Sequence, residues 1–249
     1  MNFIALCSAA ALIALPAITT PAQAGDDAIG KAVSDPTRLE EQSARDADRK
    51  PAEILRLAGV REGDKVADLA VGGAYYTAIL SRLVGETGKV YAVDPTLIFK
   101  AFPNAAKTFP AYLEKDPRGN VVYSVQRFDE LALPEPVDAV LMVLYYHDTI
   151  WTGEDRAQMN ERIFDALKPG GVYVVVDHDA LEGAGDEVTK TLHRMEKKTV
   201  APEVLAAGFT LETESDILAH PDDPKNDSVF DEGRRGKTDR FVYVFRKPS

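Results

Sequence analysis

Cysteine is nearly absent: Cys7 is the only one in 249 residues. It lies in an apolar leader, so a chain cut after the leader has no disulfide to form. Basic charge is also scarce. The 29 Lys and Arg face 40 Asp and Glu, a net charge of −11. A sequence-independent grip on nucleic acid needs a basic stripe, and the nearest cluster, Arg234, Arg235 and Lys237, is flanked by acids. The same deficit argues against docking on an anionic membrane surface. Met1–Ala24 contains no Lys, Arg, Asp or Glu at all. It is apolar from Phe3 to about Ile18 and closes on Ala22-Gln23-Ala24, a small-x-small pattern. That predicts a signal peptide over residues 1–24, cleaved before Gly25, an exported and periplasmic protein, and no stable membrane association afterwards. The apolar run is short for a membrane span. Leu6 is too bulky for the position before a lipoprotein cysteine. Internal repeats and low-complexity tracts are missing too.

What remains is 45% hydrophobic and 28% charged, a composition able to bury a core. The length suits one domain. Residues 25–50 read as a tether (25–32) followed by a charged helix from Asp35-Pro36 to about Lys50. Residues 51–249 read as an α/β domain. Apolar runs mark strands at Val66–Leu69, Lys89–Val93, Val121–Val125, Val137–Tyr146, Val172–Val176, Phe209–Ser215 and Phe241–Phe245. Helical spacing marks Pro51–Leu57, Tyr75–Val84, Asp155–Leu167, Glu187–Lys198 and Pro202–Ala207. One or two short helices fit the Phe-rich stretch Thr96–Pro117. Strands alternating with helices, then a terminal pair, predict a doubly wound, mostly parallel seven-stranded sheet in a single domain. The polar connection from about Asp216 to Arg240 is long, and loops of that length are usually functional or mobile.

The stretch VADLAVGGAYYTAILSRLVGETGKVYAVDP, residues 66–95, reads as one β-turn-α-turn-β unit. Asp68 closes the first strand and Asp94 the second, and Gly72-Gly73 is the only glycine pair in the first turn. A dinucleotide fingerprint admits a pyrophosphate through glycines placed directly after the strand. A carboxylate at Asp68 would repel that group and would suit a ligand carrying an ammonium. Asp94 fits a bidentate bond to a ribose diol. An ammonium and a ribose in one ligand point to S-adenosylmethionine.

With these residues in place the chain resembles the class I S-adenosylmethionine-dependent methyltransferases, over roughly Pro51 to Lys247. It is similar more closely to predicted bacterial methyltransferases with leader peptides. The resemblance is carried by ARDADRKPAEIL, VADLAVGGAYYT, GKVYAVDP, LMVLYYHD, LKPGGVYVVVDH, HRME, AAGF and GKTDRFVYVF, in that order. It implies a Rossmann-like fold, methyl transfer to a small-molecule acceptor, and S-adenosylmethionine held by Asp68, Gly72, Gly73 and Asp94. It also implies an adenine contact at Phe128-Asp129, where Asp129 reads equally as a turn or cap residue. Ala70 and Ala74 replace two glycines of the family's Gly-x-Gly-x-Gly turn. Alanine fits there if neither position needs a positive φ.

A second constellation falls at the carboxyl ends of strands four and five: Tyr145-Tyr146-His147-Asp148 and Asp177-His178-Asp179. His193 and Arg194 follow on the next element. His147 is placed to take a proton from an acceptor, with Asp148 or His178 to orient it. Alternatively Asp148, Asp177 and His178 hold a divalent metal that activates the acceptor. Arg234, Lys237 or Arg240 read as partners for an anionic acceptor or as a solvated loop. Trp151 reads as a roof over the cleft or as ordinary packing. Two other functions fit the same features: an exported, non-catalytic binding protein on this scaffold, and a NAD(P)-dependent oxidoreductase.

Overall fold

The computed structural model describes residues 21–249; the leader up to Thr20, with Cys7, lies outside the described residues. Seven strands form one sheet: β1 (Lys65–Leu69), β2 (Lys89–Pro95), β3 (Val121–Gln126), β4 (Val137–Val143), β5 (Leu167–His178), β6 (Thr210–Ser215) and β7 (Arg240–Arg246). Their order is β3-β2-β1-β4-β5-β7-β6. The β1–β2, β1–β4, β2–β3 and β4–β5 pairings are parallel. β7 enters between β5 and β6 and runs antiparallel to both. The central strands are apolar on both faces because helices cover both. One face packs Leu69, Val140, Met142 and Tyr173 among its fully buried side chains, and the other Val66, Leu141, Val174 and Val244. No helix among the described residues is long and apolar enough to cross a membrane.

The chain leaves β1 toward β2 and β3, then returns to the far side of β1 as β4. Strand order therefore reverses between β1 and β4, and the loops at their carboxyl ends diverge and open a crevice.

Four stretches differ from the sequence reading. The expected tether over 25–32 belongs to a helix, Pro21–Val33, because Ile29 and Ala32 find places in the core. Both lie beyond the expected cleavage point, so a cut before Gly25 leaves them in place. The charged helix from Asp35 to Lys50 is instead two single turns, Glu40–Ser43 and Asp46–Arg49. They are held by Arg38, which donates to Asp46 at 2.7 Å, and by Gln42, which donates to the Gly73 carbonyl at 3.1 Å. Strand β4 stops at Val143, because Leu144 takes a left-handed backbone, φ 59°. The helix expected over Glu187–Lys198 is broken at His193, φ 53°, where Met195 bridges to Asp179. Its second part joins the helix Lys197–Ala206.

Candidate active site

The turn after β1 keeps the backbone shape of a glycine loop without two of the glycines. Ala70 has φ 62°, Gly72 φ 47° and Ala74 φ 59°. Both alanines thus occupy the positions where a positive φ is required. Left-handed backbone costs a non-glycine residue about 1–2 kcal/mol, so the rest of the structure holds this turn in place. Ala70 N–H donates to the Val93 carbonyl at 2.7 Å, and the Gly72 N–H to Asp94 Oδ1 at 3.1 Å. A Cβ built on Gly72 or Gly73 meets nothing within 4 Å, so the turn presents open backbone to a ligand. Restoring glycine removes the strain: Ala70→Gly is expected to stabilise the protein by about 0.5–1 kcal/mol, read as a raised urea midpoint.

Asp68 is buried, and its Oδ2 accepts from the Thr77 hydroxyl at 2.6 Å, in the first turn of helix Tyr75–Leu83. Burial, with Asp94 adding its charge, pushes the Asp68 carboxyl up to about 7, although Thr77 and the more distant Arg49 pull it down. A carboxyl raised on folding keeps a proton that the unfolded chain has already lost. Its contribution is complete below pH ~4 and is lost as pH rises to and through about 7. Asp68→Asn is therefore expected to gain on the wild type as pH rises from 5 to 8, by on the order of 1–3 kcal/mol. Urea titrations at the two pH values check this, and an unchanged difference refutes it.

Asp94, also buried, accepts from Tyr123 at 3.0 Å besides Gly72. One bond on each oxygen leaves a lone pair on each. Asp129 is more fully engaged. Arg127 forks both of its oxygens, donating from Nε at 2.8 Å, and the Asp155 N–H reaches it at 3.1 Å. Burial works against the charge, but Arg127 outweighs it and holds the carboxyl below its usual range. Beside the same turn, Glu154 accepts from the Phe128 N–H with one oxygen, and the other is buried without a partner, as is the Tyr145 hydroxyl. Burial raises Glu154 to about 7.

At the end of β4, His147 is 3% exposed. Its Nδ1 lies 2.7 Å from Asp177 Oδ1, its Nε2 3.1 Å from Asp148 Oδ1, and its backbone N–H donates to Asp177 at 2.8 Å. Burial disfavours a charged ring, yet the two carboxylates outweigh it and hold His147 up to about 10. The two carboxylates thus favour the protonated ring, in which Nε2 carries a proton toward Asp148. Burial pushes Asp148 up, but its bonds to His147 and His193 outweigh that and hold it far below the usual range. His178 is the opposite case. Burial, then His147 and nearby arginines, hold it well below the ordinary histidine value, and its Nδ1 lies 2.8 Å from the Thr238 hydroxyl.

His147, Asp148 and His178 all line one cavity of about 770 Å³, together with Gly73, Tyr75 and Leu144. The turn after β1 and the rim at β4 and β5 thus meet at the strand-order reversal. The far wall carries four arginines, Arg45, Arg49, Arg235 and Arg240, and two acids, Glu41 and Asp48. Arg49 sits 4.5 Å from the Tyr75 ring centre and Arg45 5.9 Å from it. No acid forms an ion pair with any of these four arginines among the described residues; Arg240 donates to the Asp48 carbonyl at 2.7 Å, and its Nε is unsatisfied. Burial, then mutual repulsion, lowers Arg49, and burial lowers Arg240. The roof is the long loop before β7, through Val229, Phe230 and Thr238.

Of the loop cations singled out from sequence, Arg240 reaches the cavity, whereas Arg234 is tied to Asp227. Arg45 and Arg49 lie in the stretch ARDADRKPAEIL, but nothing in the sequence assigns them to the site, because Tyr75, Arg235 and Arg240, which surround them, come from far along the chain. Trp151 touches the rim, donating to Asp148 at 2.7 Å. Asp148, Asp177 and His178 do not form a ligand set: Asp177 is spent on His147, and His178 faces Thr238.

Residues 67–175 match a family model described as a methyltransferase domain. The ubiquinone/menaquinone biosynthesis C-methyltransferase UbiE of Azotobacter vinelandii is 29% identical over 123 residues, which is 49% of this chain and 46% of that protein. The UbiE of Escherichia coli O1:K1 / APEC is 31% identical over 124 residues, 49% of this chain and 46% of that one. The chain therefore spans about half the length of the curated relatives it matches. Among solved structures, a SAM-dependent methyltransferase from Aquifex aeolicus aligns with a TM-score of 0.60 at 21% identity, over 89% of this chain and 97% of the other. The [4+2]-cyclase SpnF aligns with a TM-score of 0.61 at 15% identity, over 94% and 98%. The fold is common to them, and a neighbour named as a cyclase shows that fold alone does not fix the reaction.

Proposed function

We propose that this chain is a class I S-adenosylmethionine-dependent methyltransferase and that it methylates a small acceptor that arrives as an anion. The relatives' names point to C-methylation in quinone biosynthesis, whereas the cavity of this chain favours an anion. The observation that carries the proposal is the joining of two features in one cavity: an open turn held in glycine-loop shape, and four arginines against two acids, Glu41 and Asp48, with no ion pair to any of the four among the described residues.

The residues fit the cofactor. Gly72 and Gly73 leave room for it, Asp94 has lone pairs for a ribose diol, and Asp68 supplies a carboxyl near the turn. Asp129 is held by Arg127, so the unpaired Glu154 oxygen and Tyr145 hydroxyl are better placed to receive polar atoms of the adenine. Bound there, S-adenosylmethionine supplies an electrophilic methyl on a sulfonium. Methyl transfer is an in-line displacement, and the chain's part is to align the nucleophile and exclude water. Val229 and Phe230 cover the cavity, which limits solvent. Arg45, Arg49, Arg235 and Arg240 draw in and orient an anion. His147 adds positive charge in place of a general base, and an acceptor that is already anionic needs none. Carboxylates, phenolates and enolates share that property.

Export by the leader is part of this reading, and the N-terminal mass of the mature protein tests it. Calorimetry with S-adenosylmethionine and S-adenosylhomocysteine tests the cofactor. A mature protein that binds neither overturns the proposal. A panel of labelled-methyl transfers then separates acceptors. Turnover is expected with anionic acceptors, and an Arg49→Ala variant is expected to raise their KM on the order of tenfold or more, for one lost charge-assisted bond. Turnover confined to neutral acceptors rejects the anionic class.

A further inference from the structure

Three side-chain atoms at the rim form a nearly equilateral triangle. His147 Nε2 lies 3.1 Å from Asp148 Oδ1, Asp148 Oδ1 3.2 Å from His193 Nδ1, and His193 Nδ1 3.3 Å from His147 Nε2. We propose that His147, Asp148 and His193 bind a divalent first-row transition metal, separately from the S-adenosylmethionine proposed above.

Three facts of geometry support the site. First, the three atoms are equally spaced just over 3 Å apart, so one centre can meet all of them. A metal about 2.1 Å from each donor sees them at mutual angles of roughly 100°, between tetrahedral and octahedral values. Second, each of two ligands is braced by a further partner. Asp177, fully buried, holds His147 through Nδ1 at 2.7 Å and leaves Nε2 turned to the triangle. Trp151 donates to the Asp148 oxygen at 2.7 Å. A carboxylate behind a ligating histidine, and a donor on a ligating carboxylate, are the supports metal sites use to fix ligand orientation. Third, His193 holds a left-handed backbone, φ 53°, an unusual state for a residue with a Cβ. That turn aims its ring back at His147, and Phe230 packs on the ring at 4.7 Å between centres. Backbone strain of this kind clusters at sites whose geometry matters.

Two imidazoles and one carboxylate select the metal class. Mg²⁺ and Ca²⁺ prefer oxygen donors, whereas imidazole suits zinc, iron, cobalt and nickel. Three protein ligands leave one to three positions open, and His147 and Asp148 both line the cavity. A metal there takes the place of the His147 Nε2 proton, since a ligating imidazole must be neutral, and keeps that end of the cavity positive. The site uses His193, which lies 15 residues beyond His178, and dispenses with Asp177 and His178 as ligands.

The test uses untagged protein stripped with a chelator, with no S-adenosylmethionine present, so its outcome is independent of the methyltransferase reading. Titration with Co²⁺ is followed by visible ligand-field bands, and with Zn²⁺, anaerobic Fe²⁺ and Mg²⁺ by calorimetry. The expected result is one equivalent of a transition ion bound and no saturable Mg²⁺ uptake. His193→Asn tolerates the left-handed backbone and is expected to fold, and Asp148→Asn is isosteric. Each is expected to weaken Co²⁺ on the order of 100-fold, with unchanged circular dichroism. Wild-type protein that takes up no transition ion, or folded His193→Asn that binds it as tightly as the wild type, overturns the site.

Discussion

An Arg194→Met variant is expected to lose about 3–5 kcal/mol of stability, which at this chain length is a fall of roughly 6–20 °C in Tm. The Arg194 side chain is completely buried. Its Nε donates to the Asp227 carbonyl at 3.0 Å, its Nη1 to the Asp179 carbonyl at 3.2 Å, and its two Nη atoms to Asp223 at 2.7 and 3.2 Å. Asp223 has no exposed side-chain surface either. Methionine fills the volume but leaves the buried Asp223 carboxylate without its counter-charge, held only by the Asp239 and Lys225 N–H groups, and the uncompensated charge is the costly part. Removing that carboxylate as well, in Arg194→Met/Asp223→Ala, is expected to recover a portion of the loss. Urea denaturation of the two variants measures both numbers, and a single-variant loss under about 1 kcal/mol contradicts the argument. Arg194 also pins the loop that carries Val229, Phe230 and Thr238 over the cavity. Ligand binding should therefore weaken at temperatures where the variant is still folded.

Asp94→Asn is expected to weaken S-adenosylmethionine by on the order of 100- to 10,000-fold, for two hydrogen bonds to a charged acceptor at about 1.5–3 kcal/mol each. Folding should survive. Burial raises the Asp94 carboxyl, with the Gly72 N–H and Tyr123 opposing, so ionising it costs the fold something that asparagine does not. Affinity within threefold of wild type, by calorimetry on the folded variant, would remove Asp94 from the cofactor site. Unlike a defect caused by misfolding, this loss should leave the urea midpoint unchanged or raised.

The sheet was legible because its strands are short apolar runs bounded by glycine, proline or acids, and burial on both faces demands such runs. The end of β4 was not, because Leu144 is an ordinary strand residue whose left-handed backbone comes from the turn into His147. The helix Pro21–Val33 was obscured by Gly25 and Gly30, since its reason to form lies in packing against the helices Pro51–Ala58 and Tyr75–Leu83. In the site, the acids at the ends of β1 and β2 and the paired histidine-carboxylate motifs could be read directly, since chemistry and position coincide there. Arg45 and Arg49 could not, because a charged residue among charged neighbours looks solvated until β7 brings Arg240 beside it. His193 was noted near the rim, but on the sequence reading it sat within a continuous helix. Only the break at that residue turns its ring toward His147.

The indole of Trp151 is the sole tryptophan in the chain. It donates to Asp148 and meets the rings of Phe102 and His193 edge-on, at 6.2 and 6.3 Å between centres. The protein therefore carries its own optical probe at the rim, with no second indole to subtract when excitation is set beyond the tyrosine band. An ion, an acceptor or a rearrangement of the roof each alters the electric field at this one ring. Intrinsic fluorescence can follow occupancy in unlabelled protein, at concentrations too low for heat to be measured.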